Sequence, residues 1–183
     1  MERVFEHIML DIETMGTSVE SAIISIAAVE FNIETGEVGD KFYKNITLRS
    51  CMESGLKVDA NTIMWWMKQS DEARKKLDED TQIHLFSALS TLAIFLDQNY
   101  YVWGNSARFD LGILENAYLK TNREIPWNFR LERDVRTLVG LHPYYRDNEP
   151  FTGVKHNAID DCLHQIKYCS KTWRYLKGLQ VNI

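Results

Sequence analysis

The sequence predicts an α/β fold: a mixed sheet of five strands, three antiparallel and the rest parallel, flanked by helices. Three observations predict it. Three early segments alternate or run apolar, a tight turn joins the second to the third, and beyond them the apolar spacing becomes helical with two short extended pieces. The first strand covers residues 4–13, where Ile8-Met9-Leu10 leads into Asp11. The second, 22–33, is rich in Ile, Val and Phe, and the third, 37–48, alternates Val38, Phe42 and Ile46 with polar residues. Glu34-Thr35-Gly36-Glu37 forms the hairpin turn between them. Asp59 or Asn61 can cap a helix carrying Ile63, Trp66 and Met67, and Thr81 can cap another through Ile83, Leu85, Leu89, Leu92 and Phe95. A strand at 100–103 meets Gly104 and precedes a helix over 109–120. An extended piece at 129–133 leads to a helical turn over 134–141, and a long helix starts at Lys155 or His156 and runs to about Lys177. Strand 1 is the natural centre. Strands parallel to it bring their C-terminal ends to one edge, where such sheets place ligands.

Length and charge narrow the function classes. The 183 residues suit one domain spanning 1–183, since domains run to roughly 150 residues. Hydrophobic residues at 45% and charged residues at 26% are ordinary for a globular chain. The longest apolar stretch, 22–29, is broken by Ser25 and falls far short of the ~20 residues that cross a bilayer. No membrane association is expected. Residues 1–7 mix Glu2, Arg3, Glu6 and His7 and lack the pattern of a secretory signal, so a cytoplasmic protein is expected. Cys51, Cys162 and Cys169 lack metal or redox spacing and read as reduced thiols. A net charge of −5 argues against coating long stretches of nucleic acid, although it leaves room for an enzyme that grips one chain end.

Three segments carry candidate chemistry. Asp11-Ile12-Glu13 ends strand 1, and the period of two puts both carboxylates on one face with Ile12 on the other. Acidic pairs at this spacing are common on surfaces, but these follow a buried run, where two uncompensated carboxylates are costly. Such a pair needs a cation, and Mg2+ or Mn2+ suits an oxygen-rich site without zinc spacing. Asp110, in Gly104-Asn105-Ser106-Ala107-Arg108-Phe109-Asp110, opens a helix after a strand; alone it reads equally as an acid favoured by the helix dipole. His156-Asn157-Ala158-Ile159-Asp160-Asp161 sets a histidine at the mouth of the last helix. His156 and Asp161 share a face only if His156 lies on the entering loop.

Together the three segments resemble the motifs of the DEDDh 3′-to-5′ exonucleases of the ribonuclease H-like superfamily. The D-x-E motif falls on Asp11 and Glu13 followed by Thr14, the second motif on residues 105–110, and H-x-x-x-x-D selects His156 and Asp161 rather than Asp160. The motifs span positions 11 to 161. The segment 62–69, with Trp65 and Trp66, is similar to the branch that holds the phage-type exonucleases and the small bacterial RNase AS exoribonucleases. The resemblance implies two divalent ions, Mg2+ or Mn2+, with Asp11 bridging both, Glu13 and Asp161 completing one site, Asp110 holding the other, and His156 as general base. Thr14, Met15 and Gly16 are implied against the terminal nucleotide.

The implied activity is removal of nucleotides from the 3′ end of single-stranded nucleic acid, with RNA favoured over DNA. Adjacent Trp65 and Trp66 point about 100° apart on a helix, so one belongs to the core and the other can stack on a base. Asn105, Ser106 and Phe109 are candidates for the same pocket. Arg130, Arg133, Arg136, Lys167, Lys171, Arg174 and Lys177 either guide the strand or form a solvated face. His7, His84, His142 and His164 lie outside the motifs. Rival readings are an exodeoxyribonuclease, a ribonuclease H-like binding module without turnover, and a metal-dependent phosphatase or nucleotidase. Tyr144 and Tyr145, between Pro143 and Pro150, suit either a homodimer interface or a lid over the site.

Overall fold

The computed structural model describes residues 4–77, 82–96 and 98–179. Its sheet has the order β3-β2-β1-β4-β5, formed by β1 (His7–Thr14), β2 (Ile23–Phe31), β3 (Val38–Asn45), β4 (Tyr101–Gly104) and β5 (Glu132–Asp134). The first three strands pair antiparallel, and β4 and β5 run parallel to β1. The expected architecture is therefore the observed one.

The period of two along β1 divides the core between two layers. Ile8, Leu10 and Ile12 face α1 (Leu48–Glu53), α4 (Leu85–Phe95) and α5 (Ala107–Lys120), where Cys51, Leu89, Leu114 and Tyr118 complete the packing. Met9, with Ala27, Val29 and Trp103, faces α6 (Val135–Gly140) and α8 (Ala158–Leu176), through Val139, Cys162, Ile166 and Cys169. The three cysteines are free and buried. Among the described residues no helix is long and apolar enough to cross a membrane.

Local expectations shift where tertiary partners intervene. Asp59 caps α2 (Ala60–Trp66), accepting from the Thr62 N–H. Thr81 lies outside the described residues; α4 is capped by the His84 imidazole, which accepts from the Phe86 N–H. Ile83, expected inside that helix, instead bridges to Ile46 beside β3. The extended piece at 129–133 divides into a 3-10 turn, Phe129–Leu131, and the short β5. The last helix is capped by Asn157 and begins at Ala158, two or three residues after the expected start, which leaves His156 on the entering loop. Three short helices were not expected: α1, α3 (Asp71–Leu77) and α7 (Tyr144–Asn148). Tyr145 packs on the α8 layer while Tyr144 stays exposed, and neither lines the cavities that hold the acids.

Candidate active site

Four acids from three elements meet at the C-terminal edge of β1. Asp11 and Glu13 project from β1 toward α8, on the face opposite Ile12. Pairing with β4 stops at Leu10 and Gly104, so the N–H of Ile12 is free of the sheet and donates to the Asp110 carboxylate. The Ser106 N–H donates to it as well, at 3.2 Å. Gly104 allows this approach, because a Cβ there would lie 3.1 Å from both the Cβ and Oδ2 of Asp110. Asp161 comes from the first turn of α8, and its carboxylate accepts from the backbone N–H of His156. These acids, His156, Asn105, Ser106 and Phe109 line one cavity of about 260 Å³. Ligand atoms of Glu13, His156 and Asp161 lie within 4.8 Å of one another.

The electrostatics are those of an unneutralised acid cluster. Burial, then repulsion from Asp110, Glu13 and Asp161, pushes the Asp11 carboxyl well above the ordinary range, and an N–H of the Gln165 amide opposes this at 2.8 Å. Glu13 is pushed up to about 8 by burial and by Asp161 and Asp110. Asp110 rises to about 7 through burial, against the pull of its backbone hydrogen bonds and Arg136. Asp161 rises to about 6, again chiefly through burial. Burial and the charge of Lys155 hold the His156 imidazole below its usual value. Four hard oxygen donors so placed fit a divalent cation, which relieves both the burial cost and the repulsion.

That fit has a measurable consequence. Unfolded, Glu13 releases its proton near 4.5; in the metal-free fold it keeps it to about pH 8. Between those limits the fold binds more protons than the unfolded chain, so this contribution to stability falls as pH rises. Bound cations exchange for those protons, so Mn2+ is expected to raise the melting temperature more at pH 8 than at pH 6. Melts at both pH values with and without Mn2+ check this; a larger shift at pH 6 contradicts it.

A second cavity, about 510 Å³, shares Ile12, Glu13 and Phe109 with the first and is lined further by Thr14, Gly16, Asp59, Asn61, Thr62 and the two tryptophans. The tryptophans take different roles. Trp66 is buried and donates through Nε1 to the Thr14 carbonyl at 2.9 Å, tying α2 to the end of β1. Trp65 is 42% exposed and meets the His156 ring edge-on, with centroids 4.8 Å apart. Thr14 donates its hydroxyl to the Gly16 carbonyl at 2.6 Å, shaping the turn that forms one wall. Met15 is the one expected pocket residue that lines neither cavity: it packs against the core layers because its backbone is engaged by Ala22 and Asp59.

Two residues of the acid cavity were not singled out by the sequence. Gln165 lies four positions after Asp161, hence on the same helical face, and that spacing was the available signal. Arg136 was one basic residue among many; only the fold separates it from Arg133, which stacks on Tyr101, and Arg130, which lies over Phe129. The other histidines are otherwise engaged: His7 is held down to about 4 by burial and Arg133, His142 stacks on Tyr175, and His164 packs on Phe151.

Comparison with known proteins places this geometry. An exodeoxyribonuclease of Enterobacteria phage T4 is 29% identical, over 94% of this chain and 91% of the relative. Among solved structures, S. pombe Pop2p in its Mg2+- and Mn2+-bound form superposes with a TM-score of 0.66 at 14% identity, covering 97% of this chain and 86% of Pop2p. The nuclease domain of 3′hExo, a DEDDh family member bound to rAMP, gives a TM-score of 0.66 at 12% identity, over 100% of this chain and 99% of that domain. The fold is thus that of the ribonuclease H-like exonucleases. The family profile of the 3′-5′ exoribonuclease Rv2179c-like domain matches residues 6–173, and the chain belongs to that family.

Proposed function

We propose that this chain is a 3′-to-5′ exonuclease that hydrolyses phosphodiester bonds from the 3′ end of single-stranded RNA, using two divalent ions, Mg2+ or Mn2+, and His156 as general base. The observation that carries it is the convergence of Asp11, Glu13, Asp110 and Asp161 on one cavity with His156 at its side and an aromatic cavity adjoining. Those four carboxylates would hold the ions. When bound, such ions lower the pKa of an attacking water and stabilise charge on the leaving 3′-oxygen.

The chain's own groups supply the rest. The imidazole of His156, held below its usual pKa, is neutral at pH 7 and free to take a proton from water. Trp65, half-exposed beside it, offers a ring face to the terminal base, and Phe109 lines both cavities and so stands between the aromatic cavity and the acids. Asn105 and Ser106 add polar groups to the wall, and Arg136 places positive charge beside Asp110, suited to a substrate phosphate. Thr14 and Gly16 shape the opposite wall.

A second reading, an exodeoxyribonuclease, is favoured by the name of the phage T4 relative, whereas the family description names RNA. RNA and DNA oligonucleotides of equal sequence, labelled at the 5′ end and digested with Mn2+, distinguish the two. The expected result is a ladder shortening from the 3′ end, faster on RNA, blocked by a 3′-phosphate and by chelator. Faster loss of the DNA overturns the substrate assignment, and cutting of a circular strand overturns the polarity.

A further inference from the structure

The loop that carries His156 is fastened to one stripe of α8. Asp160, His164, Lys167 and Lys171 recur at intervals of four, three and four, so they occupy a single face of the helix about 16 Å long. Each holds a member of the preceding strap. The Lys171 ammonium donates to Glu149 at 2.7 Å, and the Glu149 side chain is only 8% exposed. Lys167 donates to the Thr152 hydroxyl at 3.0 Å. The His164 ring meets Phe151 with centroids 4.8 Å apart. The Asp160 carboxylate accepts the Val154 N–H at 2.9 Å.

The strap then turns sharply into the site. Gly153 has φ +103°, and a Cβ there would lie 2.5 Å from the Asp160 Cγ, so the chain passes against that carboxyl only as glycine. Val154 packs beside Ile24 and Trp66. His156 follows at φ +63°, a left-handed conformation uncommon for a non-glycine residue, with its N–H on Asp161 and its ring against Trp65. A strained residue is retained where its surroundings over-determine it, and here the surroundings are four side-chain contacts from α8.

We propose that the α8 stripe of Asp160, His164, Lys167 and Lys171 is a set of positioning residues that aims the His156 imidazole into the acid cavity through residues 149–154. It rests on His156 as the base of the proposed reaction. Asp160 thereby has a role distinct from its neighbour Asp161: it holds the strap, and Asp161 faces the cavity. The basic residues Lys167 and Lys171 serve the strap rather than a path for the substrate.

The test is a double-mutant cycle in the full-length chain. Lys171→Met is expected to lower kcat about tenfold, with KM and calorimetric Mn2+ affinity unchanged, because misaiming one base affects the transition state alone. The exchanged pair Lys171→Glu with Glu149→Lys should recover most of that loss. Thr152→Val, a milder change, should give a smaller decrease in kcat, which keeps the test open if Lys171→Met unfolds. In a His156→Ala background, Lys171→Met should have little further effect, since its contribution runs through His156. A full further tenfold loss there overturns the positioning role and leaves the base assignment standing. A wild-type rate in His156→Ala itself overturns the base assignment, a different outcome of the same cycle.

Discussion

Asp11→Asn is expected to abolish turnover while leaving the fold intact. The substitution keeps the shape of the side chain and an oxygen that accepts from the Gln165 amide, which donates to Asp11 Oδ1 at 2.8 Å. What it removes is the charge of a buried acid, the one subject to repulsion from all three others. Metal-ion catalysis contributes several kcal/mol of charge stabilisation, and each ~1.4 kcal/mol is a tenfold change in rate, so the loss should reach about 1000-fold or more. The metal-free variant should melt no lower than the wild type at pH 8, because one source of repulsion is gone. Its melting temperature should also respond less to Mn2+. Single-turnover digestion and thermal melts read these quantities separately. Turnover within tenfold of wild type, or wild-type activity that persists in chelator, would sink the metal-dependent mechanism.

Loss of the His156 imidazole is expected to lower kcat by roughly 100- to 10,000-fold, the range for removal of a general base. The ring touches Trp65 edge-on and lines the acid cavity without belonging to either core layer, so substrate and Mn2+ affinities should stay close to wild type. Because the residue sits at φ +63°, alanine removes the base and also strains the loop. Asparagine tolerates that conformation better. His156→Asn and His156→Ala should therefore lose the same catalytic factor, with Asn melting at the higher temperature. The wild-type rate should rise with pH as the imidazole loses its proton, over a range below that of a free histidine because burial and Lys155 lower its pKa. That limb should vanish in both variants. If it survives unchanged, another group accepts the proton.

The chain's own periodicities determine much of this. An apolar run ending in Asp-x-Glu at a period of two sets both carboxylates on one face of a central strand, whatever packs against it. The tight turn at Gly36 and the switch to helical spacing point to a hairpin followed by parallel strands, which are the strand directions observed. These signals are local, and local geometry obeys them. α1 and α7, of six and five residues, hold too few turns to show an apolar stripe and have no side-chain cap, whereas the comparably short α2 and α6 are announced by Asp59 and Asp134 at their starts.

Tertiary structure alone decided the contacts between distant residues. Trp65 and Trp66 are equivalent in sequence; the carbonyl of Thr14, 52 positions away, draws Trp66 inward and leaves Trp65 at the cavity. Gln165 and Asp11 stand 154 positions apart and meet because α8 lies across the end of β1. Asp160 and Asp161, adjacent and alike, part because helical rotation turns one toward Val154 and the other toward the acid cavity. Spacing along the chain records which side chains share a face. Which face meets which depends on how the helices pack on the sheet, and that follows from burying the whole apolar surface at once.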